Sequence, residues 1–178
     1  VEVTTMSGQQ KRWYAVYTKP RAEKRVYHRL AETGINAFLP LHKTLRQWSD
    51  RKKMVEVPLF TSYVFVHINA PDYDRVLRTN GVVKYVTFGG KAAAIPQDQI
   101  DNLKLIINSN ADIEVTRKEL KPGQQVEVTH GTLKGLRGEL LKVSKKRRLL
   151  VRIDTISQNL LINIPENFLQ TVPEKLSL

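Results

Sequence analysis

Residues 57–68, Val-Pro-Leu-Phe-Thr-Ser-Tyr-Val-Phe-Val-His-Ile, constrain the fold more than any other stretch. Their only titratable side chain apart from the Tyr63 phenol is His67. Bulky residues recur at every second position, with Tyr63 and Phe65 on one side and Val64 and Val66 on the other. A strand apolar on both sides is either covered on both faces or covered on one and open to a partner on the other. Pro58 suits its entrance, because proline has no N–H to give to a ladder. The pattern predicts a single strand over 57–68 at the centre of a small α/β domain, with both uses of its aromatic side left open.

The neighbouring segments supply the layers for such a sheet. Residues 13–18, Trp-Tyr-Ala-Val-Tyr-Thr, predict a first strand that Lys19-Pro20 ends. From Arg21 to Thr33 the period becomes helical, with Ala22, Val26 and Leu30 as the core stripe and Gly34 as the stop. A strand over 36–41 leads into a polar, basic arm over 42–56, whose tip falls near Ser49-Asp50. A helix over 72–78, a strand over 82–88, a turn at Gly89-Gly90 and an apolar edge over 92–95 follow. A third helix opens after Pro96, with Ile100, Leu103, Ile106 and Ile107 at helical spacing. This order predicts an α/β sandwich of the split βαβ kind.

Residues 109–119 are mostly polar and are expected to be a linker. Beyond them glycines 123, 131, 135 and 138 and short runs rich in Val, Ile and Leu predict five strands joined by tight turns, a small β-barrel. The expected fold class is α+β: a tail over 1–10, a sandwich domain over 11–108, the linker, and a barrel over 120–174. The basic run Lys145-Lys146-Arg147-Arg148 is expected at a hairpin tip of the barrel.

Charge narrows the function. The chain has 29 Lys and Arg against 17 Asp and Glu, a net +12, and most of the excess lies in the first half. A balance this basic points to nucleic acid, an anionic membrane or an acidic protein. No stretch approaches the roughly 20 apolar residues of a membrane span, and no apolar leader core precedes Trp13, so a cytoplasmic protein without a membrane partner is expected. There is no cysteine. His28, His42, His67 and His130 do not stand at metal-pair spacing, and no glycine loop is followed by Lys-Ser/Thr. No cofactor, metal or catalytic residue is therefore expected. Among enzymes, a nuclease built on Asp50, Glu56, Asp72 and Asp74 is the least implausible.

The first helix carries its own signal. Arg21, Arg25 and Arg29 are spaced four apart, with Lys24 and His28 beside them. Cations in a first turn oppose the helix dipole, and Glu23 offsets only part of that. Three arginines in register also repel one another. A face assembled at a cost in stability points to phosphate contacts.

Several stretches together resemble one family. Trp13 to Pro20, then Pro58-Leu59-Phe60-Thr61-Ser62-Tyr63-Val64-Phe65-Val66, then Thr79-Asn80-Gly81-Val82 and Phe88-Gly89, are similar to successive landmarks of the NusG N-terminal domain. Residues 120–128 and 131–138 are similar to the KOW motif that opens its C-terminal barrel. The resemblance implies a transcription elongation factor whose N-terminal domain docks on the RNA polymerase clamp helices. Carried over position by position, Tyr63, Phe65, Phe88 and Leu103 would form that contact, ordinary core packing being the alternative for each. The length of the arm and the basic helix resemble the operon-specific RfaH branch. That likeness implies contacts to the exposed non-template DNA strand from Lys19, Arg25 and Arg29, with Thr79 and Asn80 nearby; Arg21 belongs to the basic stripe alone. Single-strand binding also calls for an aromatic platform, for which Tyr27 and Trp48 are the candidates.

Thr61-Ser62 departs from the family's Pro-Gly or Pro-Asn, which predicts a different turn there. The KOW barrel would recruit a ribosomal protein or a termination factor. In the RfaH branch it can refold as a helical hairpin, but the Val, Ile and Gly content here favours strands. The expectation is an antitermination factor acting by binding on particular operons. The alternatives are a general NusG factor and a ribosome-associated RNA-binding KOW protein.

Overall fold

The computed structural model describes residues 9–143 and 146–173. Two compact units divide the chain, residues 1–97 and 98–178.

The first unit is organised on β1 (Arg12–Thr18), followed by α1 (Glu23–Glu32), β2 (Asn36–Phe38), β3 (Leu41–Gln47), β4 (Lys52–Pro58) and β5 (Tyr63–Ile68). A 3-10 turn at Ala70–Asp72 leads into α2 (Tyr73–Leu77), then β6 (Val82–Tyr85), β7 (Thr87–Phe88), β8 (Lys91–Ala92) and β9 (Ala94–Ile95). The main sheet runs β2-β5-β1-β6, with β9 paired to the first half of β1, where Trp13 faces Ile95. All pairings are antiparallel.

β5 is a central strand covered on both faces, one of the two arrangements its sequence left open. Val64, Val66 and Ile68 join Tyr14, Val16, Val76 and Tyr85 in one core, which the Ala22, Val26 and Leu30 stripe closes. The sheet's other side is aromatic. The Tyr63 ring lies 4.8 Å from that of Tyr17, and Phe65 lies 6.1 Å from Phe38 and 6.3 Å from Phe60.

The structure corrects three boundaries. The stretch 57–68 is not one strand: Val57 and Pro58 end β4, residues 59–62 turn, and only Tyr63–Ile68 lie in the sheet. Ser62 has φ 65°, a left-handed conformation incompatible with a continuous strand. Arg21 has φ 60° and stands before α1, so it is not a member of a helical stripe with Arg25 and Arg29. Residues 82–88 form two strands, the second folding onto β8 through Gly89-Gly90.

From the division between the units the chain runs through α3 (Gln97–Ile107), whose Ile100, Leu103 and Ile106 are buried. β10 (Ile113–Thr116), β11 (Gln124–Val128), β12 (Arg137–Val143), β13 (Lys146–Ile153), β14 (Gln158–Ile162) and β15 (Leu169–Thr171) follow. They form a six-stranded antiparallel sheet in the order β10-β14-β13-β12-β11-β15. The five expected strands are β11 to β15. The sixth, β10, lies inside the segment expected to be a linker: Ile113 and Val115 pair opposite Ile162 and Leu160. Two apolar positions between polar ones were too little to mark it against a polar background.

Gly138 is not a turn glycine. It lies in β12, where a Cβ would stand 2.5 Å from the Leu150 carbonyl oxygen. The start of the KOW-like segment is tied down by a charged clamp. Arg152 donates to Glu139 at 2.6 Å and to the Leu120 carbonyl at 2.8 Å, while the Gly123 N–H donates to Glu139 at 2.8 Å. Burial pushes the Glu139 carboxyl upward, but the Arg152 hydrogen bonds and the Gly123 N–H outweigh it and hold it below its ordinary value. Of the basic run 145–148, Lys145 lies outside the described residues. Arg147 and Arg148 are on β13, paired with Glu166 and Glu114.

Candidate nucleic-acid interface

The site begins where α1 meets the turn after α2. The buried Ala22, Val26 and Leu30 fix the helix on the sheet and leave Arg25 exposed and Arg29 at its edge. Gly81 then brings the 79–81 turn against the helix. It has φ 100°, and a Cβ there would stand 2.7 Å from Val26 Cγ2, so no side chain fits without displacement. Its carbonyl accepts the Lys19 N–H at 2.9 Å, which joins the end of β1 to the same turn. Arg29 Nη1 donates to the Asn80 carbonyl at 2.8 Å.

Arg29, Glu32, Thr33, Arg75, Arg78, Thr79 and Asn80 line a surface hollow of about 420 Å³. Its lining includes three arginines and one glutamate. Arg75 is held by Asp72 at 2.6 Å and by the Thr33 carbonyl, and the Thr79 hydroxyl donates to the Arg75 carbonyl at 3.1 Å. Arg78, also in the lining, is exposed and makes no ion pair among the described residues. Five donors per guanidinium in fixed geometry suit phosphate and base edges.

The structure therefore gathers Arg29, Thr79 and Asn80, and ties the Lys19 backbone to their turn. Arg25 lies outside the lining of the hollow, and Arg21 precedes the helix. Arg75 and Arg78 were missed. Their i, i+3 spacing just ahead of Thr79-Asn80 was the available signal, but the segment showed itself first as a short helix with a core position at Val76. Lys24 turns away to donate to the Glu56 carbonyl at 2.7 Å, anchoring the root of the arm. Tyr27 packs against the core.

The apolar candidates fare differently. Tyr63 and Phe65 are buried, Phe65 completely, among aromatic neighbours of their own unit. Leu103 is completely buried on α3. The expectation that these three side chains form an open apolar patch is corrected: β5 and α3 turn them inward. Phe88 is 56% exposed beside the Gly89-Gly90 turn.

Among the described residues no group of His, Asp and Glu is arranged to hold a metal, and no helix is long and apolar enough to cross a membrane.

A family model described as transcription termination factor nusG matches residues 11–104. The transcription termination/antitermination protein NusG of Rickettsia typhi is 24% identical over 151 residues, covering 79% of each chain. That of Pasteurella multocida is 24% identical over 163 residues, covering 84% of this chain and 88% of the relative. In fold, the chain is similar to a solved structure of Thermotoga maritima NusG, with a TM-score of 0.55 at 17% identity, over 94% of this chain and 100% of that one.

Proposed function

The chain belongs to the NusG family of transcription termination and antitermination factors, and from that premise we propose that it binds RNA polymerase and reads the exposed non-template DNA strand through the arginine hollow. The carrying observation is the hollow itself: Arg29, Arg75 and Arg78 converge beside Thr79 and Asn80 on a turn that Gly81 locks against α1. Its volume of about 420 Å³ is large enough for a nucleotide. Lys19, Arg21 and Arg25 are the further proposed DNA contacts.

On the polymerase, the clamp helices are the proposed seat of the N-terminal domain, expected over residues 11–108. Phe88 is the anchor this fold makes available, an exposed aromatic of the kind that dominates interface energetics. The KOW domain expected over 120–174, whose sheet also takes in β10 from within 109–119, is the proposed recruiter of a ribosomal protein or termination factor. The proposed action is antitermination on selected operons, which requires that the hollow contact bases as well as phosphates.

The test is single-stranded DNA binding by the full chain. Replacing Arg29 and Arg78 with Glu should weaken binding about tenfold or more and flatten the salt dependence by roughly 0.7 log unit for each phosphate no longer neutralised. An unchanged slope would remove the hollow from the account.

A further inference from the structure

The arm formed by β3 and β4 has no place in the interface above. It is a separate two-stranded sheet with seven residues in each strand, about 23 Å long at the usual rise. Its register defines two faces. Leu45 and Met54 stand opposite each other on one, beside Lys43 with Glu56 and Gln47 with Lys52. The other carries Thr44 with Val55 and then Arg46 directly opposite Lys53. At the tip the Trp48 N–H donates to the Arg51 carbonyl at 2.7 Å, and by alternation these two continue the Arg46–Lys53 face.

Like charges directly opposite each other destabilise a ladder. Here no acid relieves them: Arg46, Arg51 and Lys53 make no ion pair among the described residues, and all three are exposed. Trp48 is 52% exposed at the end of this row. The face is complementary to a polyanion, with a flat ring at its leading end.

We propose that the arm is a β-ribbon for duplex DNA, with Arg46, Arg51 and Lys53 against the phosphates and Trp48 leading. A two-stranded ribbon enters the roughly 12 Å major groove of B-form DNA, whereas the narrow major groove of A-form RNA does not admit side chains. The ribbon is a second nucleic-acid element, on strands distinct from the α1–α2 hollow, and it stands whether or not that hollow binds single strands.

The experiment uses the full chain with labelled duplex DNA, duplex RNA and single-stranded DNA. Of the two tryptophans Trp13 is buried, so accessible quenching by acrylamide reports on Trp48. Duplex DNA should shield Trp48. R46E/K53E should weaken duplex DNA binding about tenfold or more while leaving single-strand affinity within about twofold, and R46A/K53A should lower the duplex salt slope by about 0.9 for each phosphate no longer neutralised. L45S/M54S, on the opposite face, should leave duplex affinity unchanged. Duplex binding indifferent to both charge variants, equal weakening from either face, or duplex RNA bound as tightly as DNA would overturn the proposal. Far-UV circular dichroism confirms that each variant keeps its strands.

Discussion

The carboxylate of Glu23 accepts the backbone N–H of Ser62 at 2.7 Å, joining the first turn of α1 to the turn ahead of the central strand. Glu23 is buried, and Ser62 is held at φ 65°. An acid in the first turn suits the helix dipole, but here its main partner lies outside the helix. Glu23→Ala leaves a part-buried N–H without an acceptor and should cost about 2 kcal/mol in urea denaturation. A loss under about 0.5 kcal/mol, the range of an ordinary surface change, would show that the turn holds itself.

Gly81 makes a sharper claim. Gly81→Ala meets both an unfavourable φ and the Val26 side chain at 2.7 Å. It should cost about 2 kcal/mol or more, lower Tm, and weaken single-stranded DNA binding by displacing Asn80 from Arg29. Unchanged stability would mean that the turn is not packed against α1.

The Arg152–Glu139 pair is largely shielded and carries the Gly123 N–H as well. Glu139→Ala should destabilise the second unit by about 3 kcal/mol, because it strands a partly buried guanidinium. Since the folded carboxyl is held below its ordinary value, 4.5, the stabilisation is present above that pH and is lost as pH falls through the folded value. Acid titration of the wild type should show this loss, and E139Q should lack it.

At alkaline pH the sign reverses. Burial first, then the neighbouring Tyr73, raises the Tyr85 phenol well above its ordinary value of 10.0, and burial raises Tyr14 too. Tyr85 donates to the Tyr73 carbonyl at 3.1 Å and stacks on its ring at 4.2 Å. Groups that keep their protons longer when folded stabilise fully below pH 10 and lose that contribution above it. Denaturation midpoints should fall as pH rises past 10 in the wild type, and less so in Y85F.

The layers of the first unit were legible because strand and helix periods are local: Val64 and Val66 alternate, while Ala22, Val26 and Leu30 recur every fourth residue. Their shared core follows from those periods. The division of 57–68 was not legible in its own apolar alternation; only the family likeness put a turn at Thr61-Ser62, because the left-handed serine is held by a distant glutamate. β10 escaped for a similar reason, since its pairing with β14 is a long-range contact. In the site, Arg29, Thr79 and Asn80 could be named from sequence, but Arg75 and Arg78 join them only through the fold. Tyr63 and Phe65 show the converse: alternation gives the side of a strand, not whether that side stays open.

The most direct test of a polymerase-bound factor that reads DNA through its arginine hollow is co-migration of the full chain with RNA polymerase elongation complexes carrying an exposed non-template strand. The wild type should co-migrate. Arg29→Glu with Arg78→Glu should lower occupancy about tenfold, and removing the non-template strand should abolish the difference between the two proteins. No co-migration of the wild type, or equal occupancy by both proteins on the intact scaffold, would contradict the account.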